Sequence, residues 1–298
     1  MKLELSPEDG NLFPDAPLAP RTTWKIGGPA RWLGRVRTEA GLARSLAAAA
    51  ESGTPVALLG MGSNILVSDE GFPGLVVRLE GDFLRISIEG DRLAAGGGAG
   101  LGAVCAAAAR AGLSGIEPIS GIPSSLGAAV RINAGAYGGE IFDVLAGARL
   151  VSRSGEARSA SSDEIPHGYS WTRLVETREI VVSATLALAR APLGAIEART
   201  RLVAEKRRGA LPSEPNAGSV FKNPPGDFAG RLIEACGLKG ARRGGALISP
   251  RHANVIVNDG GAKAADVLAL MRLARDAVRD RFGITLAPEV ELLGMTWE

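Results

Sequence analysis

The sequence predicts an α+β protein of more than one domain, and three observations carry that prediction. Short apolar runs bounded by Gly, Asn and Asp alternate with Ala-rich or amphipathic stretches at helical spacing. The 298 residues, 46% of them hydrophobic, exceed one ordinary domain and can fill separate cores. Pro192 closes the longest alternating run and marks a domain boundary. The division that follows is 1–80, 81–191 and 192–298.

The elements follow in order. After a Pro-rich lead-in that ends near Pro20, Thr38 is placed to cap a helix over 39–52, which Gly53 terminates. Strands are expected at 56–59, 65–67 and 75–79, each between turn-forming residues, giving a first α/β unit. Two short runs over 83–95 meet at Gly90-Asp91, a hairpin signal, and a helix over 102–111 closes at Gly112. Further strands fall at 148–152 and 180–188. Beyond Pro192 come a polar helix over 193–208, a Pro/Gly-rich loop, a helix near 229–236 with Gly237 after it, and strands at 246–249 and 254–257. A last helix sets Val267, Met271, Ala274, Val278 and Phe282 on one face and stops at Gly283.

Composition excludes several classes. With 34 Lys+Arg against 32 Asp+Glu, the net charge of +2 gives no bulk field for nucleic acid, so any anion site is local. The longest uncharged run, 93–109, is mostly Gly and Ala and too short to span a bilayer. The acidic start lacks the basic and apolar regions of a secretory signal, so a cytoplasmic protein without a membrane partner is expected, and no obligate protein partner is evident. Cys105 and Cys236 have no companions at ligand or disulfide spacing and read as small buried residues; no metal site is expected. The 40 glycines are nearly twice the usual share of ~7%, which points to tight turns and close backbone approach to a ligand.

Three segments carry candidate chemistry. Leu59-Gly60-Met61-Gly62-Ser63-Asn64-Ile65 is a small-residue loop between expected strands whose N–H groups are free to face a phosphate. It matches neither the dinucleotide fingerprint nor the P-loop. Ser120-Gly121-Ile122-Pro123-Ser124-Ser125-Leu126-Gly127 leads to Asn133-Ala134-Gly135-Ala136-Tyr137-Gly138, a composition that can wrap a diphosphate or a flat ring. Pro215-Asn216-Ala217-Gly218-Ser219-Val220-Phe221-Lys222-Asn223 puts a Ser, a Lys and an Asn within five residues of a loop.

Together with Thr23-Trp24-Lys25-Ile26-Gly27-Gly28, Ala229-Gly230-Arg231-Leu232-Ile233-Glu234, His252-Ala253-Asn254 and Pro288-Glu289-Val290-Glu291, these segments resemble the UDP-N-acetylenolpyruvoylglucosamine reductases. This is the MurB family of peptidoglycan precursor synthesis, and the resemblance covers nearly the whole chain. The compact link into the third segment is similar to the family's shorter type, which lacks a tyrosine-bearing loop. The resemblance implies a vanillyl-alcohol-oxidase-type FAD-binding fold, with two α/β subdomains over 1–80 and 81–191 and a C-terminal α/β substrate domain over 192–298. It implies bound FAD, NADPH as hydride donor and UDP-N-acetylglucosamine enolpyruvate as substrate.

It also implies residue roles. Flavin contacts carry over onto Gly60, Gly62, Ser63, Asn64, Ile65, Gly121, Ile122, Pro123, Ser124 and Gly127, with Asn133, Gly135 and Ala136 close by. Ser219 matches the proton donor and Glu289 its acidic partner, while Lys222, Asn223 and Tyr169 match substrate positions. Hydride addition to the enolpyruvyl methylene leaves enolate-like charge, so the site needs both a proton donor and a cation.

The chain departs from the family at that cation. Where the family has Tyr-Arg-x-Ser, this sequence reads Tyr169-Ser170-Trp171-Thr172, and the closing Glu-Val-Arg is Glu289-Val290-Glu291. Met61 takes a usual Gly position, and the Lys expected before the Ser loop aligns near Gly209. A hydroxyl does not replace a guanidinium's charge. Either Arg131, Arg173, Arg207 or Arg208 compensates, or the chain binds flavin with a lost or altered reaction; a related flavin oxidase is a further alternative. Lys239, Arg242 and Arg243 form a basic loop suited to a diphosphate or simply solvated. His167 and His252 read as structural or cleft-wall residues.

Overall fold

Thr38, in extended backbone, accepts the Gly41 N–H on its Oγ1 at 3.0 Å and opens α1 (Glu39–Glu51). The computed structural model describes residues 4–297. The other helices are α2 (Leu101–Arg110), α3 (Leu126–Arg131), α4 (Arg173–Thr177), α5 (Leu193–Ala210), α6 (Ala229–Ala235) and α7 (Ala264–Phe282). Each long helix named from the sequence is present, and α7 ends at Gly283, whose φ of +69° needs no Cβ.

Contacts divide the chain into two units that interleave in sequence. Unit 1 comprises the residues up to Pro14, Trp32–Met61 and Gly74–Arg207; unit 2 comprises Asp15–Arg31, Gly62–Pro73 and Arg208 onward. The first strands are β1 (Gly10–Pro17), β2 (Pro29–Val36), β3 (Val56–Leu58), β4 (Ile65–Val67) and β5 (Phe72–Leu79). They include a sheet of order β1-β2-β5-β3, in which β3 and β5 run parallel. The expected Pro-rich lead-in therefore contains a strand, and Pro14 and Pro17 lie on it at the edge of the sheet, where proline is tolerated.

The second sheet of unit 1 uses β6 (Ile86–Glu89), β7 (Arg92–Gly96), β8 (Leu145–Val151), β9 (Ala157–Ser161) and β10 (Ile180–Ala187). Its order is β9-β8-β10-β7-β6 and every pair is antiparallel. The expected hairpin at Gly90-Asp91 joins Glu89 to its partner Arg92. Helix α3 lies against this sheet so closely that a Cβ on Gly127 would meet Val181 O at 2.7 Å. Only glycine brings that helix start so near the strand backbone.

Unit 2 carries β11 (Asn216–Ser219), β12 (Arg242–Arg243), β13 (Ala246–Ile248) and β14 (Val255–Asn258) in the order β11-β14-β13-β12, all antiparallel. The last strand, β15 (Glu291–Leu293), pairs parallel with β4. The unit's core contains Val267, Leu270, Met271, Ala274 and Val278 of α7 with Phe221, Leu232 and Ile256. Trp24 and Leu66 belong to the same core, and Trp24 Nε1 donates to Ile256 O at 2.7 Å. These contacts draw 15–31 and 62–73 to the C-terminal residues.

Helix α5 buries Ile196 and Val203, and its Arg199 donates to Glu117 Oε1 at 3.0 Å and to Ser114 Oγ at 2.8 Å, so the chain stays with unit 1 through Arg207. Among the described residues no helix is long and apolar enough to cross a membrane. Cys105 is buried and its thiol is pushed up to about 12, chiefly by burial, so it stays protonated and unreactive at neutral pH. Cys236 is half-buried.

Glu117, 3% exposed, is the polar joint of this region. Burial alone pushes its carboxyl up, but hydrogen bonds from Gly115 N–H at 2.6 Å, from its own backbone and from Ser114 and Arg199 hold it below the ordinary 4.5. The folded state therefore binds its proton less readily than the unfolded chain. The resulting stabilisation is present above about pH 4.5 and is lost as pH falls through the lower folded value. Urea midpoints should drop on acidification below about pH 5. Glu117→Gln should lower the midpoint at neutral pH and reduce its acid dependence.

Candidate active site

In unit 1 the two glycine-rich loops meet. A Cβ on Gly60 would stand 2.7 Å from Ser125 Oγ, so the first loop approaches the residue that precedes α3. The backbone N–H groups of Gly60 and Met61 have no hydrogen-bond partner among the described residues. Such unpaired donors on a fixed loop attract an anionic group. Met61 does not require positive φ and turns outward, 49% exposed, so its departure from Gly leaves the loop's path intact. In the second loop Ser124 Oγ donates to Ser125 O at 3.0 Å, and Ile122 packs on the unit 1 core. Gly121 lies under α5, where a Cβ would meet Arg207 Cδ at 3.0 Å.

Asn133 is 1% exposed and does not present a free amide. Its Nδ2 donates to Gly168 O at 3.1 Å and its Oδ1 accepts Phe142 N–H at 3.4 Å. Gly135–Ala136 pairs with Gly139–Glu140, with Tyr137 and Gly138 as the turn. The pairing of His167 with Thr172 and Gly168 with Trp171 leaves Tyr169-Ser170 as a second two-residue turn, with Ser170 at φ +48°. Thr172 Oγ1 donates to Arg131 O at 2.5 Å. The segment that departs from Tyr-Arg-x-Ser is thus a hairpin tip held by the Arg131–Asn133 backbone and amide, and Tyr169 is 61% exposed on it. His167 stacks on Phe142 at 4.0 Å between centroids, which fits a structural role.

In unit 2, Ser219 ends β11, and the next residues are bonded on both sides. Val220 N–H donates to Asn254 O at 2.9 Å, Phe221 N–H to Asn254 Oδ1 at 3.0 Å, and Asn254 Nδ2 to Phe221 O at 2.8 Å. On the other side Glu289 N–H donates to Val220 O and Lys222 N–H to Ala287 O, each at 2.9 Å. Asn64 continues the chain of contacts: its Nδ2 donates to Glu289 O at 3.2 Å and its O accepts Glu291 N–H at 3.0 Å. Ser219, Lys222, Glu289 and Asn64 are brought into one cluster. Ile65 is the buried first residue of β4 and serves the strand pairing.

Beside this cluster is a cavity of about 430 Å³ whose lining includes Ser219, Asn223, Lys239, Arg251, His252 and Asn254. Phe228, Arg231 and Glu234 also line it. Lys239 pairs with Glu234 at 2.7 Å, and Arg251 donates to Arg208 O at 2.8 Å. Burial, and then the Lys239 charge, push His252 below its ordinary value, so it is neutral at pH 7. The lining is cationic on balance, which suits a phosphate-bearing ligand of nucleotide size. Arg242 instead pairs with Asp259 at 2.6 Å, so the basic loop divides and only Lys239 reaches the cavity. Phe228, Arg231, Arg251 and Asn254 escape a reading for reactive groups; their signal lies only in the motif blocks around 229–234 and 252–254.

Residues 211–293 match the family described as UDP-N-acetylenolpyruvoylglucosamine reductase, C-terminal domain, and residues 32–161 match an FAD binding domain. A UDP-N-acetylenolpyruvoylglucosamine reductase 2 of Symbiobacterium thermophilum is 45% identical over 288 residues, covering 96% of this chain and 94% of the relative. A reductase of the same name from Anaeromyxobacter dehalogenans is 45% identical over 96% of this chain and 86% of its own length. The crystal structure of the Thermus caldophilus reductase superposes with a TM-score of 0.82 at 39% identity, covering 95% of this chain and 98% of that one. The chain belongs to the UDP-N-acetylenolpyruvoylglucosamine reductase family. The unpaired N–H groups at Gly60 and Met61 fit the diphosphate of FAD.

The clamp around Phe221 generates a direct expectation. Asn254→Ala strands a buried N–H and a buried C=O and should destabilise the protein by about 2–4 kcal/mol in chemical denaturation. Asn254→Asp keeps the acceptor for Phe221 N–H but sets a buried carboxylate oxygen against Phe221 O, and should destabilise at least as much at neutral pH.

Proposed function

We propose that this chain reduces UDP-N-acetylglucosamine enolpyruvate to UDP-N-acetylmuramate in peptidoglycan precursor synthesis, in the cytoplasm, with FAD bound and NADPH as the hydride source. The observation that carries the reading is the placement of Ser219 on a cationic cavity, with the Glu289 backbone bonded to the residue after it. FAD, when bound, supplies the two-electron relay from NADPH to the enolpyruvyl methylene carbon.

The chain's own residues do the rest. The Gly60 and Gly121 loops hold the diphosphate and ring, with Ser63, Pro123, Ser124, Gly135 and Ala136 along them and Asn64, Ile65, Gly127 and Asn133 as the scaffold. Ser219 Oγ delivers the proton to the carbon next to the one reduced, and Glu289 polarises the site for that transfer. Asn223, Lys222 and Tyr169 orient the substrate, and Lys239 balances its diphosphate. In this division of labour 1–80 and 81–191 serve the flavin and 192–298 serves the substrate.

Arg207 takes up the charge that Ser170 lacks. Arg173 is already paired with Glu176 at 3.2 Å, and Arg131 is also engaged. Arg208 is exposed. Arg207 is half-buried against Gly121, burial weighs against its charge, and Tyr137 is the group that favours it. No carboxylate among the described residues pairs with it, so its charge is available to an anionic ligand.

The test follows bound-flavin absorbance anaerobically. NADPH should bleach it and UDP-N-acetylglucosamine enolpyruvate should restore it. Ser219→Ala should slow recovery about 100-fold or more while bleaching proceeds. Arg207→Gln should slow recovery, with Arg207→Lys in between. Bleaching without recovery in the unaltered protein would mean a flavin-binding chain without this second half-reaction, the outcome that Ser170 and Glu291 would then explain.

A further inference from the structure

The cavity of unit 2 has a component that neither ion pairing nor proton transfer uses. Phe228 lies on its lining and is 67% exposed. A phenyl ring left open in this way forgoes burial, and large aromatic rings usually find it. The backbone that carries it is fixed. Asp227 N–H donates to Pro224 O at 3.2 Å, and Asp227 Oδ1 accepts both Phe228 N–H at 2.7 Å and Arg231 Nε at 2.6 Å. Asn223 Oδ1 accepts the following N–H, of Ala229, at 3.1 Å. The ring is thus an open flat face on a rigid turn, on the same lining as Lys239, Arg251 and His252.

A flat apolar face combined with cations matches a planar base joined to phosphates. The geometry points to Phe228 as the platform on which the pyrimidine base of the nucleotide-sugar substrate stacks, a specificity-determining residue. This rests on the reading of the cavity as the nucleotide-sugar site. The hydrogen bonds that Asn223 and Asp227 accept fix the backbone carrying the ring before the ligand arrives, which lowers the ordering cost of binding.

Calorimetric titration of the FAD-loaded, full-length protein with UDP tests the assignment. Phe228→Ala should weaken UDP binding about tenfold or more, as expected for loss of one base–aromatic stack. Phe228→Trp should keep it, and affinity for inorganic pyrophosphate should be equal in all three proteins. UDP affinity within twofold of the unaltered protein in Phe228→Ala would overturn the assignment. So would an equal loss of pyrophosphate affinity, which reports general damage, or a loss confined to NADP+, which assigns the ring to the other nucleotide. Failure of UDP to bind the unaltered protein would remove the nucleotide-sugar reading itself, and this inference with it.

Discussion

Asn254 commits both polar atoms of its buried side-chain amide to the backbone of Phe221, and its own carbonyl to Val220. A loop carrying Ser219 would otherwise expose its backbone to water and sample many conformations. Because the opposite side of the same stretch is bonded to 287–289, Ser219 and Glu289 share one rigid frame. A serine hydroxyl is a weak acid, and its usefulness as a proton donor depends on where it is held. The clamp supplies placement, at the expense of committing a conspicuous polar residue to structure. His252 shares the task, since its Nδ1 accepts Asn254 N–H at 3.2 Å while its ring lines the cavity.

Unit 1 solves a related problem with small residues. Its loops bring the Gly60 backbone against the Ser125 side chain and the Gly127 backbone against that of Val181, where a Cβ would collide. This packing leaves N–H groups at Gly60 and Met61 without partners among the described residues, and a bound anion can satisfy them at little reorganisation cost. The Arg199–Glu117 joint then holds α5 against the second loop, with Val203 and Arg207 over Gly121. A half-buried guanidinium without a carboxylate is costly in an isolated chain and becomes favourable beside an anionic ligand.

Much of the architecture was legible in local signals. Thr38, Gly112, Gly237 and Gly283 mark helix ends because capping is a property of a few adjacent residues. The alternation over 180–187 marks a sheet strand, and the face of α7 from Val267 to Val278 marks a core. The interleaving of the units was not legible, since it depends on the Trp24 ring entering a core over two hundred residues away and on β4 pairing with β15. Two-residue strands such as Arg242–Arg243 carry no periodicity to detect. In the candidate site, residue types picked out Ser219, Lys239 and the glycine loops. Phe228 and Arg251 carry no such signal, because an exposed Phe or Arg has no signature in sequence until a cavity stands beside it. The Asn64 and Asn133 amides hold the Glu289 and Gly168 carbonyls, pairings across long sequence separations that no local signal announces.

The backbone after Ser219 is clamped from both sides, and amide hydrogen exchange measures that directly. In a peptide covering 217–223, the amides of Val220, Phe221 and Lys222 should exchange as slowly as those of Val255–Asn258. Exchange at the rate of the neighbouring loop at 211–215 would contradict the clamp and, with it, the placement of Ser219 on which the mechanism depends.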